Sequence, residues 1–378
     1  MTTLPRSGLQ AIFVGSGRPF VFERRALPGL RRGEVLVRND YTTLCRSDLA
    51  TWSGKRREAV PTVLGHEIVG RVVDVDAAAP PVDVAGRPVR AGDRVTWAIF
   101  ASDPTSAMAR AGMPQKAAGL FKYGHETITA DCAHHGGLGE FTLLREHTPI
   151  ARLDDGIPDP VAALVNCSIA TVAGALRLAG QIRDQRVLVS GAGMLGLCAC
   201  AMATDAGARD VIAVDIDSAR AEQALAFGAN RCAVVGRDGS GFAGLGPCDV
   251  VLEFSGAPAA MAASLPRLEI GGRAVWVGAV SPQPPTPIDA ELVLRRLLTI
   301  RGLHNYNRED FVAAVDFVAA RHSRWPFREL VHDAFRLADV DAAFRHAVEH
   351  NPVRVGVRIQ CEPAQLGIVS GTDGKISP

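Results

Sequence analysis

The stretch "RVLVSGAGMLGLCACAMATDAGARDVIAVD", residues 186–215, decides the fold. It opens with a short apolar run, "RVLVS", and turns through glycines at 191, 193 and 196. It then continues as an apolar segment of helical character, and a second short run, "DVIAVD", ends at Asp215. The G-x-G-x-x-G spacing is a weak signal alone. Between a strand and a helix, with a carboxylate closing the next strand, it has the context that a dinucleotide-binding turn requires. Gly191 permits the tight turn, Gly193 lets the backbone approach a pyrophosphate, and Gly196 allows close helix packing. Met194 and Leu195 begin the helix whose N-terminus supplies positive dipole to the phosphates. Asp215 is placed to accept hydrogen bonds from the adenosine ribose hydroxyls and repels a 2′-phosphate, which favours NAD over NADP; Arg220 is the nearby counter-signal.

Strand and helix signals continue to alternate after this unit. "RCAVV", "CDVVLEFSG" and "RAVWVGAV" read as strands and "SARAEQALAFGAN" as a helix. That rhythm predicts a parallel sheet covered on both faces, an α/β doubly wound domain. Residues 10–150 have another texture. "GEVLVRNDYTTL", "IVGRVVDVD" and "GDRVTWAIF" are β-branched runs bounded by glycine or aspartate, so this region is expected to be mostly β. "DPVAALVNCSIATVAGALRLAG" then reads as a helix opened by Asp159 and Pro160. After residue 303, "REDFVAAVDFVAARH" and "DVDAAFRHAVEH" read as helices and "RVGVRI" as a strand. The polar tail from Glu362 to Pro378 is expected to fray.

At 378 residues the chain has room for two domains. A net charge of +1 gives no general attraction to nucleic acid or to a membrane surface. No run of the length that spans a bilayer stands out, and the N-terminus lacks a basic start and apolar core, so neither membrane insertion nor secretion is expected. The eight cysteines are scattered (Cys45, Cys132, Cys167, Cys198, Cys200, Cys232, Cys248 and Cys361), which points to a reduced, cytoplasmic protein.

Three segments carry metal-ligand chemistry. They are Cys45 in "LCRSDLATWSG", His66 and Glu67 in "PTVLGHEIVGRV", and Cys167 in "NCSIATV". A Cys₂His set leaves the fourth position of a tetrahedral zinc open, as catalytic zinc requires. Each residue taken singly reads equally well as a buried thiol or a core histidine, and spacing alone does not assemble them.

Taken in order, "C-x-S-D", "P-x-x-x-G-H-E-x-x-G-x-V", "G-D-R-V" and the glycine turn resemble the medium-chain dehydrogenase/reductase superfamily, in its zinc-dependent alcohol dehydrogenase branch. "GMPQKAAGLFKYGHE" and "GLHNYNREDF" resemble alcohol dehydrogenase-like proteins associated with phosphonate catabolism. The resemblance implies a GroES-like, mostly β catalytic domain over residues 1–159, a Rossmann NAD-binding domain over 160–302, and a return to the catalytic domain from 303. It implies one catalytic zinc on Cys45, His66 and Cys167, with Glu67 as an adjacent carboxylate able to ligate and Asp48 orienting His66. Arg46 and Arg354 are expected at the cofactor phosphates. The implied reaction passes hydride between nicotinamide and an alcohol, aldehyde or ketone, with zinc as Lewis acid and Ser47 as proton relay. A homodimer or homotetramer is the implied assembly. The alternatives are a zinc-free reductase of the same superfamily and a non-catalytic NAD-binding protein.

Two departures stand out. The four cysteines of the superfamily's structural-zinc lobe align with Asp103, Ser106, Ala109 and Ala117, so no structural zinc is expected. A histidine that commonly ends the proton relay is replaced by Ala50. Lys55, Arg56 and Arg57, in a loop between two ligand segments, could attract an anionic substrate or could belong to a solvated surface loop. Tyr123 and His125 are further polar candidates.

Overall fold

A computed structural model describes residues 6–359. The expectations for Cys361 and the tail lie outside the described residues.

The amino-terminal half and the chain's return build a seven-stranded sheet. Its order is Val331–Arg336, Arg354–Arg358, Val35–Leu44, Glu67–Val75, Arg94–Trp97 and Ile150–Arg152, with Phe141–Leu144 beside Val35–Leu44. Both chain halves contribute because Arg354–Arg358 pairs antiparallel with the end of Val35–Leu44. Buried Val35, Val37, Ile68, Val72, Val95, Trp97 and Ile150 form one core on this sheet.

The register fixes what gathers at one sheet end. Thr43 pairs with Glu67 and Leu44 with Val355. The residues one step beyond these pairs, Cys45, His66 and Arg354, are therefore delivered to the same place from distant parts of the sequence. In an antiparallel ladder a slip by one residue would turn every side chain to the opposite face.

The second domain is a six-stranded parallel sheet in the order Arg231–Val234, Asp210–Asp215, Arg186–Ser190, Cys248–Glu253, Leu268–Trp276 and Thr299–Gly302. This is the Rossmann strand order, which reverses beside Arg186–Ser190 and opens a crevice at the strands' carboxyl ends. The helix Met194–Asp205 follows the glycine turn and is buried almost throughout.

One expectation needs correction. The helical run Asp159–Ala179 is long and apolar enough to cross a membrane by length and composition, with a mean hydropathy of 1.7. Its most apolar window is 72% buried inside the protein, which is the position of a core helix. The apolar character serves packing against Met194–Asp205 and Arg308–Arg321.

Candidate active site

Cys45, His66 and Cys167 converge, with their ligand atoms all within 4.8 Å of one another. Cys45 immediately precedes the helix Arg46–Trp52. His66 precedes the strand Glu67–Val75. Cys167 comes from a π turn, Val165–Ile169, inside the apolar helical run. Such bulges recur at functional sites because they re-aim one side chain without ending the helix. Asn166 secures this turn, its Nδ2 donating to His66 O at 3.0 Å and to Trp97 O at 2.9 Å. Tyr306 donates to Asn166 O from the other side.

Asp48 accepts from Cys45 N at 2.9 Å and from Gly65 N at 3.2 Å. Its Oδ1 also lies 3.3 Å from His66 Nδ1, an ion-pair distance without hydrogen-bond alignment. That carboxylate turns the opposite nitrogen, Nε2, toward the thiols, the usual arrangement behind a metal-bound histidine. Burial opposes the His66 cation, but Asp48 and Cys45 outweigh it and raise the imidazole well above its ordinary range. Cys167 donates to Cys45, which drives the Cys45 thiol well down and Cys167 well up. The buried Cys45 thiolate is a negative charge that a divalent cation would neutralise, with His66 giving up its proton to ligate. Two thiols and one imidazole, with all three residues lining a cavity, fit zinc with one open position.

Glu67 is placed differently from the expectation of a metal-adjacent ligand. Its carboxylate is buried and accepts from Arg354 Nε at 2.9 Å, Arg354 Nη2 at 2.8 Å and Ser168 Oγ at 3.0 Å, and also from Thr43. With both oxygens committed, it stands outside the ligand cluster. Arg354, expected at the cofactor phosphates, lines the cavity but is engaged first by Glu67. Its Nη2 also lies 3.7 Å from Cys45 Sγ.

The cavity, about 860 Å³, runs between the domains. Gly191, Gly193, Met194, Leu195, Gly196, Asp215, Arg220 and Arg46 all line it. Gly191 has φ +93°, a left-handed conformation that favours glycine. A Cβ on Gly196 would sit 1.8 Å from Gly191 O, so the helix can approach the turn only without a side chain. At Gly193 nothing lies within 4 Å of that position, which leaves room for a phosphate. Asp215 accepts from Ala192 N at 2.8 Å and Asp217 N at 3.0 Å, which fixes the carboxylate at the crevice mouth.

Ser47 faces the metal side, with Oγ 3.5 Å from His66 Nε2. Of the basic loop, Arg56 lines the cavity, while Lys55 and Arg57 are exposed and outside its lining. Tyr123 is buried away from the cavity, paired with Thr148 Oγ1 at 2.6 Å and accepting from Arg145 N at 2.8 Å. His125 does line the cavity. Its ring lies 5.1 Å from that of His66, and its Nδ1 is 3.0 Å from Glu58. Sequence reasoning missed Lys122, His304 and Asn305, which line the same end. Only their place in two resemblance segments, "LFKYGHE" and "GLHNYN", hinted at them.

The lobe aligned with the structural-zinc cysteines uses its polar residues locally. Asp103 Oδ1 accepts from Thr105 N and Oγ1, both at 2.7 Å, and Ser106 caps a helical turn by accepting from Ala109 N at 3.2 Å. Ala117 is buried.

Two family profiles cover about two thirds of the chain. The alcohol dehydrogenase GroES-like domain matches residues 31–155, and the zinc-binding dehydrogenase domain matches 195–320. The chain belongs to the zinc-dependent medium-chain dehydrogenase/reductase superfamily. Among relatives in this superfamily, L-threonine 3-dehydrogenase of Edwardsiella ictaluri is 28% identical over 334 residues, spanning 84% of this chain and 90% of its own. An alcohol dehydrogenase of Thermotoga maritima superposes with TM-score 0.86 at 22% identity, covering 93% of this chain and 99% of its own, and shares the fold. A zinc-binding dehydrogenase of Sinorhizobium meliloti bound to NADP superposes with TM-score 0.80 at 20% identity, over 93% of this chain and 99% of its own. Superfamily membership makes the chain an oxidoreductase that uses zinc and NAD(P), acting on a small molecule.

Proposed function

We propose that the protein is a zinc-dependent, NAD-preferring alcohol dehydrogenase with one zinc per chain. The observation that carries this reading is the Cys45–His66–Cys167 cluster opening onto the same cavity as the glycine turn. When bound, zinc supplies Lewis-acid polarisation of a substrate oxygen and the nicotinamide takes or returns hydride.

The chain's own residues do the rest. Cys45, His66 and Cys167 hold the metal, and Asp48 orients His66. The Arg354–Glu67 pair backs the cluster with a buried, internally neutral support. Ser47 Oγ, next to the ligand nitrogen, accepts or returns the substrate's hydroxyl proton. Ala50 offers no further acceptor, so that proton would leave by water, by the ribose hydroxyls of a bound cofactor or by another side chain. The fixed Asp215 carboxylate favours the ribose hydroxyls of NAD over a 2′-phosphate. A cytoplasmic location, a homodimeric or homotetrameric assembly, the absence of a structural zinc and the likeness to phosphonate-associated dehydrogenases belong to the same proposal.

The test is NAD-dependent turnover over a panel of alcohols and carbonyls, in wild type and Ser47→Ala. The expected result is turnover in wild type and a loss in kcat of about 100- to 10,000-fold in the variant at unchanged melting temperature. Nucleotide binding without turnover across the panel would favour a non-catalytic NAD-binding protein instead.

A further inference from the structure

The cavity wall has an uneven charge. Among the described residues it is lined by Arg46, Arg56, Lys122, Arg220, Arg237 and Arg354, against one carboxylate, Asp215. Asp215, Arg46 and Arg220 sit where the dinucleotide belongs. Arg56 and Lys122 lie at the other end, beside the metal ligands. The path is short: the His66 ring lies 5.1 Å from that of His125, His125 Nδ1 is 3.0 Å from Glu58, and Glu58 is 2.5 Å from Arg56.

The two acids near this end are already engaged. Glu58 serves Arg56 and His125, and Glu126 accepts from Lys122 N at 2.9 Å. Among the described residues no carboxylate lies within ion-pair distance of the Lys122 or Lys116 ammonium. Lys122 is half-buried, and its pKa is lowered by that burial and by the charges of Arg56 and Lys116. His304 feels the same three cations and is held down to about 4 by burial and by them, so its ring is neutral at physiological pH. Its Nδ1 takes the Lys116 ammonium at 2.6 Å, which leaves the ring proton on Nε2 as a donor. Asn305, in a left-handed conformation at φ +61°, carries a buried Nδ2 with no partner among the described residues. Lysine ammoniums that lack an ion-pair partner, next to an unsatisfied donor, are stabilised by a ligand with several acceptor oxygens.

We propose that Arg56, Lys122, His304 and Asn305 form an anion subsite, and that the substrate is a hydroxy or oxo compound carrying a carboxylate or a tetrahedral oxyanion at the end away from the metal. This rests on the dehydrogenase reading for the reacting end and on the cationic wall for the other. Lys116 supports the subsite from behind through His304.

The zinc-loaded enzyme saturated with NADH, which fills the cofactor phosphate sites, is titrated with malonate and with phosphonoacetate, following nicotinamide fluorescence. At least one anion is expected to bind wild type, and Lys122→Gln and Arg56→Gln are each expected to weaken it about tenfold or more. Arg345→Gln, an exposed cation outside the cavity, is expected to bind as wild type. Binding of both anions identifies a general anion site, and binding of phosphonoacetate alone identifies a tetrahedral oxyanion. Failure of wild type to bind either, or unchanged affinity in both subsite variants, overturns the proposal. Turnover of 1-propanol, 3-hydroxypropanoate and 2-hydroxyethylphosphonate separates the two readings. Anion binding with no turnover keeps the subsite and removes the dehydrogenase. Oxidation of the neutral alcohol alone, with no anion binding, does the reverse.

Discussion

Arg354 and Glu67 meet 287 residues apart in sequence, and neither is more than 4% exposed. A buried pair of this kind contributes little relative to an apolar pair, but breaking it strands a charge. Arg354→Met is therefore expected to cost about 3–5 kcal/mol in denaturant unfolding, and Arg354→Met with Glu67→Met to recover much of that loss. His135 poses a different problem, because it is buried and neither ring nitrogen has a partner among the described residues. Burial, followed by the nearby His125 charge, pushes its pKa from 6.5 down to about 3. The unfolded chain therefore takes up the proton first as pH falls. Stability drops from about pH 6.5 downward, by about 1.4 kcal/mol per pH unit for this group. His135→Leu should flatten that slope in melting curves between pH 7 and 5, and an unchanged slope would contradict the burial account. The metal triad was legible in the sequence as residue types within motifs. Its backing was not: the "GHE" motif gives Glu67 as a neighbour of the metal, and only the strand register brings Arg354 to occupy it.

At the scale of elements, the glycine turn separates two kinds of constraint. Gly196→Ala would push a methyl into Gly191 O, so the helix Met194–Asp205 must shift. Both melting temperature and NAD affinity are expected to fall. Gly193→Ala meets nothing within 4 Å among the described residues, so melting should be unchanged while NAD affinity falls about tenfold or more, because the lost space is the cofactor's. Calorimetric NAD titration alongside thermal melting checks both. This element was readable because its strand, turn and helix are contiguous. The π turn at Cys167 was not, since a one-residue bulge leaves the apolar pattern of Asp159–Ala179 intact. The cationic loop was half readable. Lys55, Arg56 and Arg57 are adjacent in sequence, yet the turn after Arg46–Trp52 brings only Arg56 to the cavity, while its counterpart Lys122 arrives from the strand Phe121–Lys122.

Across the whole molecule, the two sheets place a soft-ligand cluster and a nucleotide turn on facing walls of one cavity. The alternation of strands and helices carried the Rossmann half, and the β-rich texture carried the other. The closing of the first sheet by a strand from the chain's far end came only from the resemblance, because long-range pairing leaves no local pattern. The central claim is one zinc on Cys45, His66 and Cys167, with the lobe around Asp103 and Ser106 holding itself by hydrogen bonds. The most direct test is zinc per chain by elemental analysis of wild type and Cys45→Ser. The account predicts one zinc in wild type and its loss in the variant. No zinc in wild type, zinc retained by Cys45→Ser, or two zincs per chain would contradict it.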